Sequence, residues 1–299
     1  PLLRRLRPAP THGLIPARGH IPRPPGWITS SDMVTPGPLA RHPRDLNLLL
    51  AALTTPSPDE NNPWSVTLPT AQRPIGQLRV AVWADDASCP VDRNIADAVA
   101  ALEGTLASAG ASVHRTAGPV GFAESLRLFE QLLHATTTAA TDDAAGAAEL
   151  AAARDLHTDD ASPRAAILRH RTQTHRAWLR ANEERLRLQQ TWHRFFADGQ
   201  YDVLITPAAP TAAIPAGSRS LTVDGVERSF FDQTGWANLT SHVGLPSLVM
   251  PIAHGADGLP IGVQLVGPAY SDRTLLVMAE QLALLLGGTA EGVIAPWSG

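Results

Sequence analysis

Lysine is missing from all 299 residues, so the 24 basic side chains are arginines. Arginine stays protonated in proteins, and a general base of the lysine type has no candidate in this chain. Cysteine occurs once, at Cys89, which excludes an intramolecular disulfide and a cysteine metal cage and fits a reducing, cytoplasmic setting. No apolar run approaches the ~20 residues that span a bilayer, and no apolar segment of the secretory kind follows the N-terminal arginines. A marked excess of one charge sign is lacking too. With 24 basic against 28 acidic residues the net charge is −4, which makes no electrostatic case for nucleic acid or an anionic membrane. There is no Walker loop or dinucleotide glycine fingerprint, and no cofactor is expected. Of the 11 histidines, none stands in a His-Glu-x-x-His arrangement: His170 and His175 are five apart, and His12 and His20 lie in coil. They are expected to be solvated or structural, with no metal site.

What is present alternates between strand and helix patterns. Residues 8–38 are dense in Pro and Gly and read as coil. Residues 45–53 read as a short helix started near Pro43, and residues 77–83 as a strand with Leu78, Val80 and Val82 on one face. Residues 92–109 form an amphipathic pattern, with Ile95, Val99, Leu102 and Leu106 inward and Gly110 as the stop, and a strand follows over 111–115. That order implies a βαβ-like or split α/β unit. Residues 122–140 are helical by pattern, while 141–162, rich in Ala and Asp, read as a mobile insert or a frayed helix. Pro163 opens what reads as one long helix over 164–197. Its expected inward stripe is Trp178, Trp192 and Phe195, with the arginines, Arg185 among them, facing outward. A strand over 203–206, a hairpin turning at Asp224-Gly225 and a terminal helix over 271–286 complete an α/β chain without internal repeats.

Two apolar runs, 248–252 and 261–266, are each introduced by Gly-Leu-Pro and separated by turn formers, and they read as buried strands. Their wording, Gly244-Leu-Pro-Ser-Leu-Val-Met-Pro-Ile252 and Asp257-Gly-Leu-Pro-Ile-Gly-Val-Gln-Leu-Val-Gly267, resembles the C-terminal signature of the amidase signature family of serine hydrolases. Four further blocks resemble that family in order: Pro10-Thr-His-Gly13, Asp32-Met-Val-Thr-Pro-Gly-Pro-Leu-Ala-Arg41, the strand-helix-strand over 77–113, and Tyr201-Asp-Val-Leu-Ile-Thr-Pro207. The resemblance implies a single incomplete amidase domain over 1–299, a mixed β-sheet flanked by helices, with the N-terminal half of the family fold missing.

In the family, a lysine, a bridging serine and a nucleophilic serine form the triad. The serine attacks an amide carbonyl, an acyl-enzyme forms, the amine leaves, and water releases the acid. By family spacing all three residues belong upstream of Pro1, so this chain is expected to carry no catalytic residue and to be inactive alone. It would be the C-terminal part of a hydrolase of linear amide C–N bonds; the alternative is a non-catalytic pseudoenzyme or gene-fragment product. A glutaminase-type subunit of a tRNA-dependent amidotransferase belongs to the same family and is less favoured. The chain does not open with methionine, and residues 1–9 depart from the family wording, as a frameshifted or non-native start would.

The resemblance implies a small-molecule amide as substrate of an intact relative, with homodimerisation left open. For the pocket, Asp32 falls in a block near the family's catalytic centre, and Gln264 is a polar residue inside an apolar strand. The alternative is that Asp32 caps a turn and Gln264 satisfies neighbouring backbone. Ser247 lacks a Gly-x-Ser-x-Gly elbow and is not expected to be a nucleophile. Without the missing half, the runs 248–252 and 261–266 are expected to expose side chains or an unpaired edge.

Overall fold

Alternation of side chains sets the layers. In the strand Arg79–Val82 (β2), Val80 and Val82 join one apolar cluster while Ala81, with Trp83 just beyond, joins another. Val203 and Ile205 against Leu204 repeat this in Val203–Pro207 (β4), as a period of two requires for a sheet covered on both faces. The computed structural model describes residues 6–287 apart from 18–23, 25, 55–65 and 71.

Six strands form one mixed sheet. The helix Arg93–Ser108 (α2) connects β2 to the parallel strand Ser112–Arg115 (β3), the βαβ unit expected from the sequence. Asp92 caps α2 by accepting from the Asn94 amide, and Ile95, Val99, Leu102 and Leu106 are buried beneath it. β4 lies parallel to β2 on its other side. The strands Ser247–His254 (β7) and Pro260–Val266 (β8) pair antiparallel, β8 also pairs with β4, and Arg7–Ala9 (β1) pairs antiparallel with β7. The order is β1-β7-β8-β4-β2-β3. A separate hairpin joins Ser220–Val223 (β5) and Val226–Ser229 (β6) through Asp224 and Gly225, both at positive φ.

One face packs on Pro43–Leu53 (α1), α2 and Asp272–Leu285 (α8). The other receives Trp192 and Phe196 from His175–Gly199 (α6), Phe122 from Phe122–Thr137 (α3), and Trp236 and Leu239 from Gly235–Ser241 (α7). No helix of the described residues is long and apolar enough to cross a membrane.

Several expectations are corrected. Within 141–162, read as a mobile insert or a frayed helix, Asp143–Arg154 is a helix (α4) whose N-cap Asp142 accepts from the Ala145 amide. The single long helix is two, Pro163–Arg171 (α5) and α6, because Thr174 leaves the helical conformation and its hydroxyl caps α6 at the Ala177 amide. The aromatic stripe divides with it: Trp192 is buried against the sheet, whereas Trp178 packs on a smaller cluster with Leu128, Leu132 and Ala181. The runs 248–252 and 261–266 have no open edge, since β7 lies between β1 and β8, and β8 between β7 and β4. Pro8 and Ala9, expected as coil, belong to β1; residues 1–5 lie outside the described residues.

Candidate functional site

Three of the sequence blocks singled out above converge on one cleft of about 120 Å³. His12 enters from the turn after β1, Asp32 from its loop, and Gly244 from the segment that opens β7. The His12 amide donates to the Gly244 carbonyl at 3.1 Å. Gly244 has φ +68°, and a Cβ there would come within 2.8 Å of the His12 Cβ, so both backbone conformation and space call for glycine. Arg185 and Gln189, one helical turn apart on α6, line the cleft with Leu186, His242 and Val243.

Asp32 is held from two sides. Arg185 Nη1 donates to its Oδ2 at 2.9 Å and the Thr136 hydroxyl to its Oδ1 at 3.0 Å, while Arg185 Nη2 donates to the Asn182 side chain. The expectation that Arg185 faces outward is corrected: its side chain is 14% exposed because the carboxylate of Asp32 draws it inward. Gln189 Nε2 donates to the Val243 carbonyl at 3.0 Å and ties α6 to the entry of β7.

His242 is buried, and burial pushes its pKa down to about 4; the Asn238 hydrogen bond opposes that shift and the Arg185 charge adds to it. The ring is therefore neutral at pH 7. The Asn238 carbonyl can only accept, so the Nδ1 that lies 3.2 Å from it carries the proton. That leaves Nε2 to accept from the Ser125 hydroxyl at 3.4 Å. A serine donating to a neutral histidine is the hydrogen-bond pattern of a nucleophile and its base. Here Ser125 has no accessible surface and does not line the cleft, so a substrate has no path to it. With Asp32 and Arg185 compensating each other and His242 neutral, these groups make a polar wall without a net charge of their own.

The other sequence candidates lie elsewhere. Gln264 is buried in β8, where its Nε2 is 3.4 Å from the Trp236 carbonyl and 3.5 Å from the Thr206 hydroxyl, and it does not border this cleft. Ser247 is buried in β7, beside a crevice of about 10 Å³ shared with Pro8, Asp272 and Leu275 that leaves no room for a substrate. His170 and His175 do not meet: His170 stacks on His134 and His175 on Trp178. Among the described residues no group of three or more His, Cys, Asp or Glu could hold a metal ion; His20 lies outside them. Nothing in the sequence marks His242 or Gln189, and its helical pattern places Arg185 on the outer face. The spacing of Arg185 and Gln189 puts them on one helix face, but nothing local tells that face from its neighbours.

Comparison with known proteins bears on the family and the fold. The family model described as Amidase matches residues 9–276. An indoleacetamide hydrolase of Bradyrhizobium diazoefficiens is 28% identical over 279 residues, 91% of this chain and 50% of that protein. One glutamyl-tRNA(Gln) amidotransferase chain of Methylocella silvestris is 35% identical over 103 residues, 34% of this chain and 20% of that protein. In three dimensions, 6-aminohexanoate cyclic dimer hydrolase superposes with a TM-score of 0.68 at 22% identity, over 95% of this chain and 61% of the other. The chain thus spans half or less of these two curated relatives' length. A family match over nearly the whole chain, on a mixed sheet with helices on both faces, places it by descent as well as by shape: the chain belongs to the amidase signature family.

Proposed function

We propose that this chain is the C-terminal part of an amide hydrolase and forms one wall of its substrate site, the cleft between His12, Asp32, Arg185 and His242. The observation that carries the reading is the family match over residues 9–276 in a chain without a single lysine. The family's lysine, bridging serine and nucleophilic serine then come from sequence upstream of Pro1. The serine attacks the carbonyl carbon of a small carboxylic amide, and its proton passes through the bridging serine to the lysine. The amine departs with a proton, and water splits the acyl-serine to the acid. This chain's share is steric and polar: the compensated Asp32–Arg185 pair and the neutral, internally bonded His242 line the cleft without attracting a counter-ion.

The pure chain, assayed on aliphatic and aryl amides beside an intact family member, is expected to show no turnover above background. Turnover that survives Ser247→Ala would mean that a nucleophile has been overlooked, and turnover lost in that variant would make Ser247 the nucleophile. A non-catalytic pseudoenzyme is the second reading, favoured by the same absence of lysine. Addition of the N-terminal half of a close relative separates the two: restored turnover supports the hydrolase, and a soluble complex without turnover supports the pseudoenzyme.

A further inference from the structure

Helices α4 and α5 are attached to the molecule almost without apolar burial. α4 buries no residue, and α5 buries Ala165 fully and Ile167 and Leu168 only in part. Polar groups take over. Arg171 donates to the Glu149 carboxylate at 2.8 Å and to the Thr137 and Thr141 hydroxyls at 3.0 and 2.8 Å, so one guanidinium joins α5 to α4 and to the end of α3. The Gln131 side chain donates to that of Gln173 at 2.9 Å, and Gln173 returns a bond to the Gln131 carbonyl at 3.1 Å. Beside them the rings of His134 on α3 and His170 on α5 stack with centroids 6.1 Å apart and planes 23° from parallel.

The charges around this stack are mostly of one sign. Arg171 bears on His134, and Arg127 and Arg169 bear on His170. Three carboxylates nearby are committed to arginines: Glu149 of α4 to Arg171, Glu184 of α6 to Arg127, and Asp32 to Arg185. Burial, and after it the charge of Asp232, raises the pKa of Glu130 on α3, and His175 at the start of α6 stacks on Trp178. A proton added to either ring therefore meets guanidinium groups and the other imidazole, and none of the charges that act on the two rings is a carboxylate.

We propose that the His134–His170 stack is an acid-sensitive latch, whose protonation releases α4 and α5 from α3 while the sheet stays folded. Elements with little apolar burial open locally at a fraction of the global free energy. Burial holds both imidazoles below the ordinary 6.5; the Arg171 charge adds to this at His134, and His134, Arg127 and Arg169 add to it at His170. The attached state therefore binds fewer protons than the released one. Attachment is at full strength above pH 6.5 and weakens as the pH falls through the depressed values of the two rings.

Hydrogen exchange of the full chain, followed by mass spectrometry and corrected for the intrinsic rate at each pH, tests the latch. Between about pH 7.5 and about pH 5, protection over α4 and α5 is expected to fall, by at most about tenfold for each unit by which a ring's pKa is depressed, while β7 and β8 keep theirs. The double variant His134→Phe, His170→Phe keeps two stacked rings and removes the titration, so its protection should not depend on pH. The single variant His170→Gln keeps one titrating ring and should show a smaller response than the wild type. Unchanged wild-type protection at the lower pH, equal loss in β7 and β8, or a full response in His170→Gln would overturn the proposal.

Discussion

Strands β7 and β8 lie between neighbours on both sides and send Leu248, Met250, Val263 and Leu265 into the main apolar cluster. Helices α4 and α5, in the same chain, are held through arginine, glutamine and histidine side chains. The difference begins in composition. The strand runs consist mostly of Leu, Val, Ile and Met, which gain roughly 1.5–3 kcal/mol each on full burial. α4 is mostly alanine, and its one larger apolar residue, Leu150, is half exposed. Alanine is the best helix former but has little surface to remove from water. A segment can thus be well determined locally and weakly held globally, which is why 143–154 reads as a mobile insert or a frayed helix from the sequence and is a capped helix in the structure.

Three substitutions can break or sharpen that contrast. Trp192→Ala removes a fully buried ring from the sheet side of α6 and should cost about 3–5 kcal/mol, read as a lower denaturant midpoint. A cost comparable to that of a surface substitution would mean that α6 is not part of the core. Arg185→Ala is intermediate, because it leaves the partly exposed Asp32 carboxylate with only Thr136 as a side-chain partner, and about 1–3 kcal/mol is expected. If the midpoint did not move, solvent would be satisfying Asp32, and the pair would matter only for the shape of the cleft. Arg171→Met should shift the global midpoint least, within about 0.5 kcal/mol, yet expose the amides of α4 and α5 to exchange. A global loss as large as that of Trp192→Ala would erase the distinction between the two regions.

Much was decided by the sequence alone. The period of two in β2 and β4, the 3–4 spacing of Ile95, Val99, Leu102 and Leu106, and the Asp224-Gly225 turn are local patterns, and local physics is enough to read them. Five blocks in family order carried the family and the mixed sheet, and the absence of lysine removed the family's base from this chain. Tertiary structure alone decided the rest. β1 became a strand because β7 offered it partners, and α6 began at Thr174 because a hydroxyl there outcompeted continuation from α5. The seven-residue α7 is too short for its pattern to stand out. Arg185 turned inward because Asp32, 153 positions away, needed a counter-charge. His242 stayed neutral because burial left the charged form without solvent. Each of these depends on a group distant in sequence, and the cleft between His12, Asp32, Arg185 and His242 exists only where the fold brings such groups together.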